Sequence, residues 1–239
     1  MPQYSESHGT PRHGGAAPRS ILVWDLPTRI FHWSVVVLVG VSFVTGNIGG
    51  DALAWHFLSG YAILALLVFR LAWGFVGTHH ARFASFVRGP RATFGYARRL
   101  ISGSAEKHLG HNPLGAWSVL AMLVSLALQV GTGLFANDDI ATEGPLVHLV
   151  SRSTSDFLTR VHRWNRLVLL ALVAIHVAAV AWHALARKEP LVRAMLSGRK
   201  SWTGSAPRGA QGHRCGVAIV ILGVAAAGVW WLVTGGAAP

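Results

Sequence analysis

LTRVHRWNRLVLLALVAIHVAAVAWHAL, residues 158–185, contains no acidic residue and runs well past the roughly 20 helical residues that cross a bilayer. It also holds His162 and His176, fourteen residues apart. At 100° per residue that spacing falls within about 40° of four full turns, and at 1.5 Å per residue it is a rise of about 21 Å. Both imidazoles therefore stand on one side of one membrane helix, at two depths. Ionisable side chains inside a span are costly, and they usually face a bundle interior or bind something.

Working outward, four more apolar segments approach membrane length, at residues 30–46, 54–77, 114–135 and 216–234. The composition agrees: of 239 residues, 52% are hydrophobic and 13% charged, with a mean hydropathy of +0.44, too little polar surface for a soluble globule. The net charge of +12 does not indicate nucleic acid, because the cations fall in short stretches between apolar segments. They set topology instead. Arg12, Arg19 and Arg29, then Arg82 to Lys107, then Arg187 to Arg214 share one side, expected to be cytoplasmic. Asp51, Asp138, Asp139, Glu143 and Asp156 lie in the intervening loops, expected to be periplasmic. A bacterial inner-membrane protein with its N-terminus inside and its C-terminus outside follows. Residues 1–20, rich in Ser, Gly, His and Pro, read as a disordered cytoplasmic tail, and 201–239 as a linker and a last membrane helix. Trp24, Trp33, Trp55, Trp164, Trp230 and Trp231 lie near span ends and read as headgroup anchors.

Two further histidines pair with the first two by depth. His56 opens the second span at the level of His162, and His32 opens the first at the level of His176. Neutral imidazole is a good iron ligand, and two axial imidazoles saturate a haem iron, which suits electron transfer rather than substrate binding. The lone cysteine, Cys215, excludes a Cys-x-x-Cys-His attachment, so a haem here is held by coordination and packing. Gly40, Gly60, Gly115 and Gly131 are available for close approach of a flat macrocycle. The loop histidines, His111 among them, read as solvated or interfacial, and His183 is the substitute ligand should the pairing differ.

VWDLPTRIFHW at 23–33, His56 followed by Gly60 and Tyr61, RLAWGFVG at 70–77, HNPLGAW at 111–117 and the pair His162 and His176 together resemble the bacterial cytochrome b561 and nickel-hydrogenase b-subunit family, over about residues 22–200. The resemblance implies an all-α integral membrane protein, a four-helix bundle at 21–200 binding two b haems, each between two histidines. The span at 216–234 is a fifth, C-terminal transmembrane helix that minimal members lack. Propionate charge needs cations: Arg160, Arg163 and Arg166 are candidates at the outer level, Arg29 and Arg70 at the inner. The expected partners are the lipid bilayer, a membrane quinone, and a periplasmic c-type cytochrome or oxidoreductase subunit drawn to the acidic loop at 135–145. The competing readings are a self-contained quinone-coupled oxidoreductase acting on a small periplasmic substrate such as superoxide, and a haem-free transporter or assembly protein using the histidines as proton relays.

Overall fold

The computed structural model describes residues 19–139, 142–203 and 214–235. In chain order the elements are β1 (Arg19–Leu22), α1 (Leu26–Ile48), α2 (Leu53–Val76), α3 (Phe83–Phe86), α4 (Pro90–Ile101), α5 (Pro113–Gly133), α6 (Arg152–Leu185), α7 (Leu191–Ser197), β2 (Arg199–Trp202) and α8 (Cys215–Val233). Five of these helices, α1, α2, α5, α6 and α8, are long and apolar enough to cross a membrane. Their outer faces carry exposed Val37, Val124, Ile175 and Val220, as befits helices whose solvent is lipid.

Local chemistry sets where the helices begin. Asp25 accepts the Thr28 amide at 2.7 Å, with Pro27 in the first turn, so α1 starts four residues before the apolar run. Asn112 caps α5 in the same way, through the Gly115 amide at 2.7 Å. α6 starts six residues earlier than expected, because Ser151 caps it and its first turns turn Ser155 and Thr159 inward onto the preceding loop. There Ser155 Oγ donates to the Phe135 carbonyl at 2.7 Å, and Thr159 Oγ1 accepts the Asn137 amide at 3.0 Å. Gly49, at φ +72°, takes the left-handed backbone that ends α1 and turns the chain into α2.

α1 packs on α2, α2 on α5, and α5 on α6, while α6 has no comparable packing against α1 or α2. An apolar core of Ile63, Leu67, Leu123, Leu126 and Leu169 fills mid-bundle. α8 lies along α2, burying Ala218, Ala225 and Val229. Arg214 Nη1 donates to the Val76 carbonyl at 3.1 Å, which sets the start of α8 level with the end of α2. The fifth helix thus supports α2 from the side.

Beneath the basic end of the bundle, β1 and β2 pair antiparallel, Arg19 opposite Trp202 and Leu22 opposite Arg199. This ribbon takes up Arg19 and Ser20, expected in the tail, and Ser201 and Trp202, expected in the linker. The pairing satisfies backbone groups that neither segment could satisfy alone. The rest of the expected tail, residues 1–18, lies outside the described residues. Trp24 is buried with Val23, Leu109 and Ala194 under the ribbon, and so is not a headgroup anchor. The indole Nε1 of Trp33 is likewise buried.

The motif at 70–77 builds the junction between α2 and the loop after it. A Cβ on Gly74 would stand 2.0 Å from the Phe83 ring, which packs against the helix there. Gly74→Ala is expected to destabilise the protein by about 1–3 kcal/mol, read as a lowered midpoint of detergent-solubilised thermal unfolding, because the ring has to leave its seat.

Candidate functional site

The bare face of α6 opposite α1 and α2 carries the two histidines. His162 meets His56 of α2 with ring centroids 6.1 Å apart, and His176 meets His32 of α1 at 6.4 Å. Metal–imidazole bonds of about 2.0–2.1 Å, with each ring centroid about 1 Å behind its nitrogen, put two axial rings about 6 Å apart. A direct N–H···N hydrogen bond would bring them roughly 1 Å closer. Both pairs are therefore spaced for a metal ion between them. Among the described residues no three His, Cys, Asp or Glu side chains gather as a metal site. Two axial imidazoles suffice only for a metal that brings its own equatorial ligands, as a haem does.

At the level of His162 the ring tautomers are set by the backbone. His56 Nδ1 lies 2.8 Å from the Ser42 carbonyl, and His162 Nδ1 lies 2.8 Å from the Gln129 carbonyl. A carbonyl only accepts, so each Nδ1 carries the proton and each Nε2 is left with the ring's lone pair, which on His162 accepts from the Gln129 side chain. Glycine makes room for both rings: a Cβ at Gly46 would stand 2.8 Å from His56 Nδ1, and one at Gly133 would stand 3.0 Å from His162 Cε1. A largely apolar cavity of about 470 Å³ opens beside them, lined by Phe57, Gly60, Leu126 and Leu170, within the size range of cofactor pockets.

Of the glycines expected to admit a macrocycle, Gly40, Gly60 and Gly131 do face open space, and Gly60 lines this cavity. Gly115 does not, because the Asn112 side chain that caps α5 occupies its open side. Gly46 and Gly133 are the cradle that sequence reasoning missed.

The basic cluster of α6 divides. Arg166 lies one turn beyond His162 and Arg163 beside it, and both line the cavity; Arg166 Nη1 also donates to Asn47 Oδ1 at 3.2 Å. Arg160 is two residues before His162, hence about 200° around the helix. It lies in a shallow groove with Phe157, Trp164 and Val168, so the expectation that it serves the outer site is corrected.

A buried polar chain fixes His162 from the α5 side. Asn165 Nδ2 donates to Gln129 Oε1 at 2.7 Å and to the Ser125 carbonyl at 2.9 Å. Gln129 Nε2 in turn donates to His162 Nε2 at 3.0 Å and to the His162 carbonyl at 3.2 Å. Gln129 and Asn165 were visible in the sequence as lone amides inside apolar spans.

At the level of His176, three side-chain nitrogens of α1 are buried without a partner: Arg29 Nε, His32 Nδ1 and Trp33 Nε1. Orphaned buried groups are costly, and those of Arg and Trp, which only donate, suit an acidic group bound beside them. Arg29 also donates through Nη1 to the Leu196 carbonyl. Arg70, by contrast, has partners within the fold: it donates to the Ala81 carbonyl at 3.0 Å, lies 4.8 Å above the Phe83 ring, and is balanced by Asp25. His183 lies with Nδ1 3.7 Å from Glu189, part of the helix end rather than of either pair.

His111 is not solvated as expected. Its ring packs 4.6 Å from Trp24 and 4.8 Å from Phe86, closing the basic end near His176. Burial, helped by the nearby cations Arg70 and Lys200, holds its pKa down to about 3, so it is neutral at neutral pH.

A family model described as prokaryotic cytochrome b561 matches residues 23–198. The chain is similar to the probable Ni/Fe-hydrogenase B-type cytochrome subunit of Azotobacter vinelandii, 25% identical over 224 residues, 79% of this chain and 91% of that one. It is also similar to the subunit of that name in Bradyrhizobium diazoefficiens, 23% identical over 219 residues, covering 77% and 87%. The probable Ni/Fe-hydrogenase 1 B-type cytochrome subunit of Escherichia coli K12 is 23% identical over 211 residues, covering 75% and 90%. No solved structure matches. Five membrane helices, imidazoles facing across a gap between them and a match across most of the chain agree: this is a b-type cytochrome, a member of the prokaryotic cytochrome b561 family.

Proposed function

We propose that the chain holds two b haems, one between His56 and His162 and one between His32 and His176, and relays electrons between a membrane quinone and a redox partner on the periplasmic side. The observation that carries this reading is the pair of imidazole gaps, 6.1 and 6.4 Å, at two depths along α6. Bound there, the group would supply a reversible one-electron centre. The protein's part is to hold that centre still. Ser42 and Gln129 fix the tautomers of His56 and His162, Gly46 and Gly133 seat the rings, and the apolar core between the two levels excludes water. A group held from both sides by histidine would leave neither site open to a small oxidant, which favours relay over self-contained oxidoreductase chemistry.

Arg163 and Arg166 at one level, and Arg29 and Trp33 at the other, are the side chains placed to meet propionates. On the distribution of cations, the basic loops face the cytoplasm and the end bearing Asp139 and Glu143 faces the periplasm. The relatives' names point to a hydrogenase-type partner there, one form of the oxidoreductase partner. Arg152 pairs with Asp139 and Asp156, so the acidity left for steering is smaller than the sequence suggests.

The experiment is electron exchange with quinone. Haem-loaded protein in nanodiscs, mixed anaerobically with a quinol analogue, is expected to show b-haem reduction in its difference spectrum, reversed by the matching quinone. Haem that is loaded and reducible by dithionite, yet inert to both analogues, would remove the quinone from this account.

Gln129 gives a finer prediction. Gln129→Leu removes the amide that contacts His162 and leaves its backbone carbonyl in place. The outer haem's midpoint potential and low-spin EPR signal are expected to shift while those of the inner haem stay put, and Gln129→Asn is expected to restore part of the change.

A further inference from the structure

Helix α4 links two membrane spans, and the fold accounts for only one of its faces. Tyr96 points inward, buried, with its ring 5.1 Å from His108. Phe94 and Ile101 are seven residues apart, within about 20° on the helix, and Phe94 lies about 160° from Tyr96. They are 74% and 88% exposed, among the most exposed large apolar side chains of the described residues. Arg91 and Arg98 lie about 60° and 40° from Phe94, beside this apolar edge. Neither is in an ion pair among the described residues. Between residues 77 and 112 the sequence holds one carboxylate, Glu106, against five arginines and a lysine.

The place of α4 is fixed by its neighbours. Trp117 Nε1, in the first turns of α5, donates to the Arg88 carbonyl at 3.1 Å, tying the approach to α4 to the membrane-crossing helix. At 12 residues, about 18 Å, α4 is too short to span a bilayer. A short helix with an apolar edge flanked by arginine, held at the end of two spans, has the form of an interfacial helix.

We propose that α4 lies in the headgroup layer on the basic side of the protein, with Phe94 and Ile101 in the acyl boundary and Arg91 and Arg98 on the phosphates of anionic phospholipid. The complementary charge of the loop selects such a lipid over a zwitterionic one. The site lies outside both histidine pairs.

The test uses the full chain in nanodiscs with Cys215→Ser, spin-labelled in turn at Phe94→Cys, Ile101→Cys and Ala92→Cys, the last an exposed position about 160° from Phe94. Labels at 94 and 101 are expected to relax with oxygen and to be shielded from an aqueous nickel chelate, and the label at 92 to show the reverse. In unlabelled protein, replacing phosphatidylcholine by phosphatidylglycerol is expected to raise the thermal midpoint, and Arg91→Gln with Arg98→Gln to abolish most of that rise. Chelate access at 94 and 101 equal to that at 92, as a face kept for a soluble partner would show, overturns the proposal. So does a phosphatidylglycerol effect that is absent or survives the double replacement.

Discussion

His162→Ala is expected to leave about one b haem per chain where the unaltered protein carries about two, with the outer centre lost and the inner retained. His176→Ala is expected to do the converse, because the two residues stand about 21 Å apart on α6 and share no partner. Each alanine leaves the facing imidazole, His56 or His32, without its counterpart, and a five-coordinate haem in an open cavity is poorly held. The measurement is the haem-to-protein ratio with the redox titration of what remains. Added imidazole is expected to return the outer haem to His162→Gly, where the cradle at Gly133 leaves room for it. Loss of both haems in either variant, with the helical fold intact, would show that the two sites do not form independently.

The largest expected effect on stability comes from Asp25, outside both pairs. It is 3% exposed and serves four groups: Oδ1 accepts the Thr28 amide, Oδ2 accepts Trp73 Nε1 at 3.1 Å and Thr78 Oγ1 at 2.5 Å, and its charge balances Arg70, itself 3% exposed. Asp25→Ala removes the cap of α1 and leaves a buried indole and guanidinium and a half-buried hydroxyl without their acceptor or counter-charge. A loss of about 3–5 kcal/mol is expected, the range found when one partner of a buried charged network is deleted. Asp25→Asn, which keeps the shape but not the charge, is expected to lose less, and thermal unfolding of the two variants side by side gives the comparison.

The sequence made the five membrane helices legible because each contains a long, predominantly apolar run. It made the facing histidines legible because helical rise and rotation turn spacing into depth and direction: His162 does meet His56, and His176 does meet His32. The start of α1 at Leu26 was not read from the sequence, although the Asp25 cap and Pro27 that set it are local signals. What depends on distant segments was not legible. Residues 19–22 and 199–202 are each too short to read as a strand, and they pair only because the intervening bundle brings its ends together. Trp24 and His111 looked like an anchor and a solvated or interfacial loop residue, yet their rings pack against each other, tilted by 58°, beneath that ribbon.

Arg160 was misplaced for a simpler reason. Proximity in sequence stood in for angle, and two residues on a helix are nearly opposite faces. The ring cradle at Gly46 and Gly133 could not be told from other membrane glycines until the rings were in place. Gln129 and Asn165 could have been found by the rule that singled out the histidines, since a lone amide within a span needs a partner too.

Two separate haem sites in one chain are tested by a pyridine haemochrome assay on the purified protein against its amino-acid content, followed by a potentiometric titration of the reduced-minus-oxidised spectrum. About two b haems per chain are expected, low-spin in both oxidation states, titrating as two one-electron components. A single haem titrating as one component, or no haem in protein that is otherwise folded, would contradict the two-site reading.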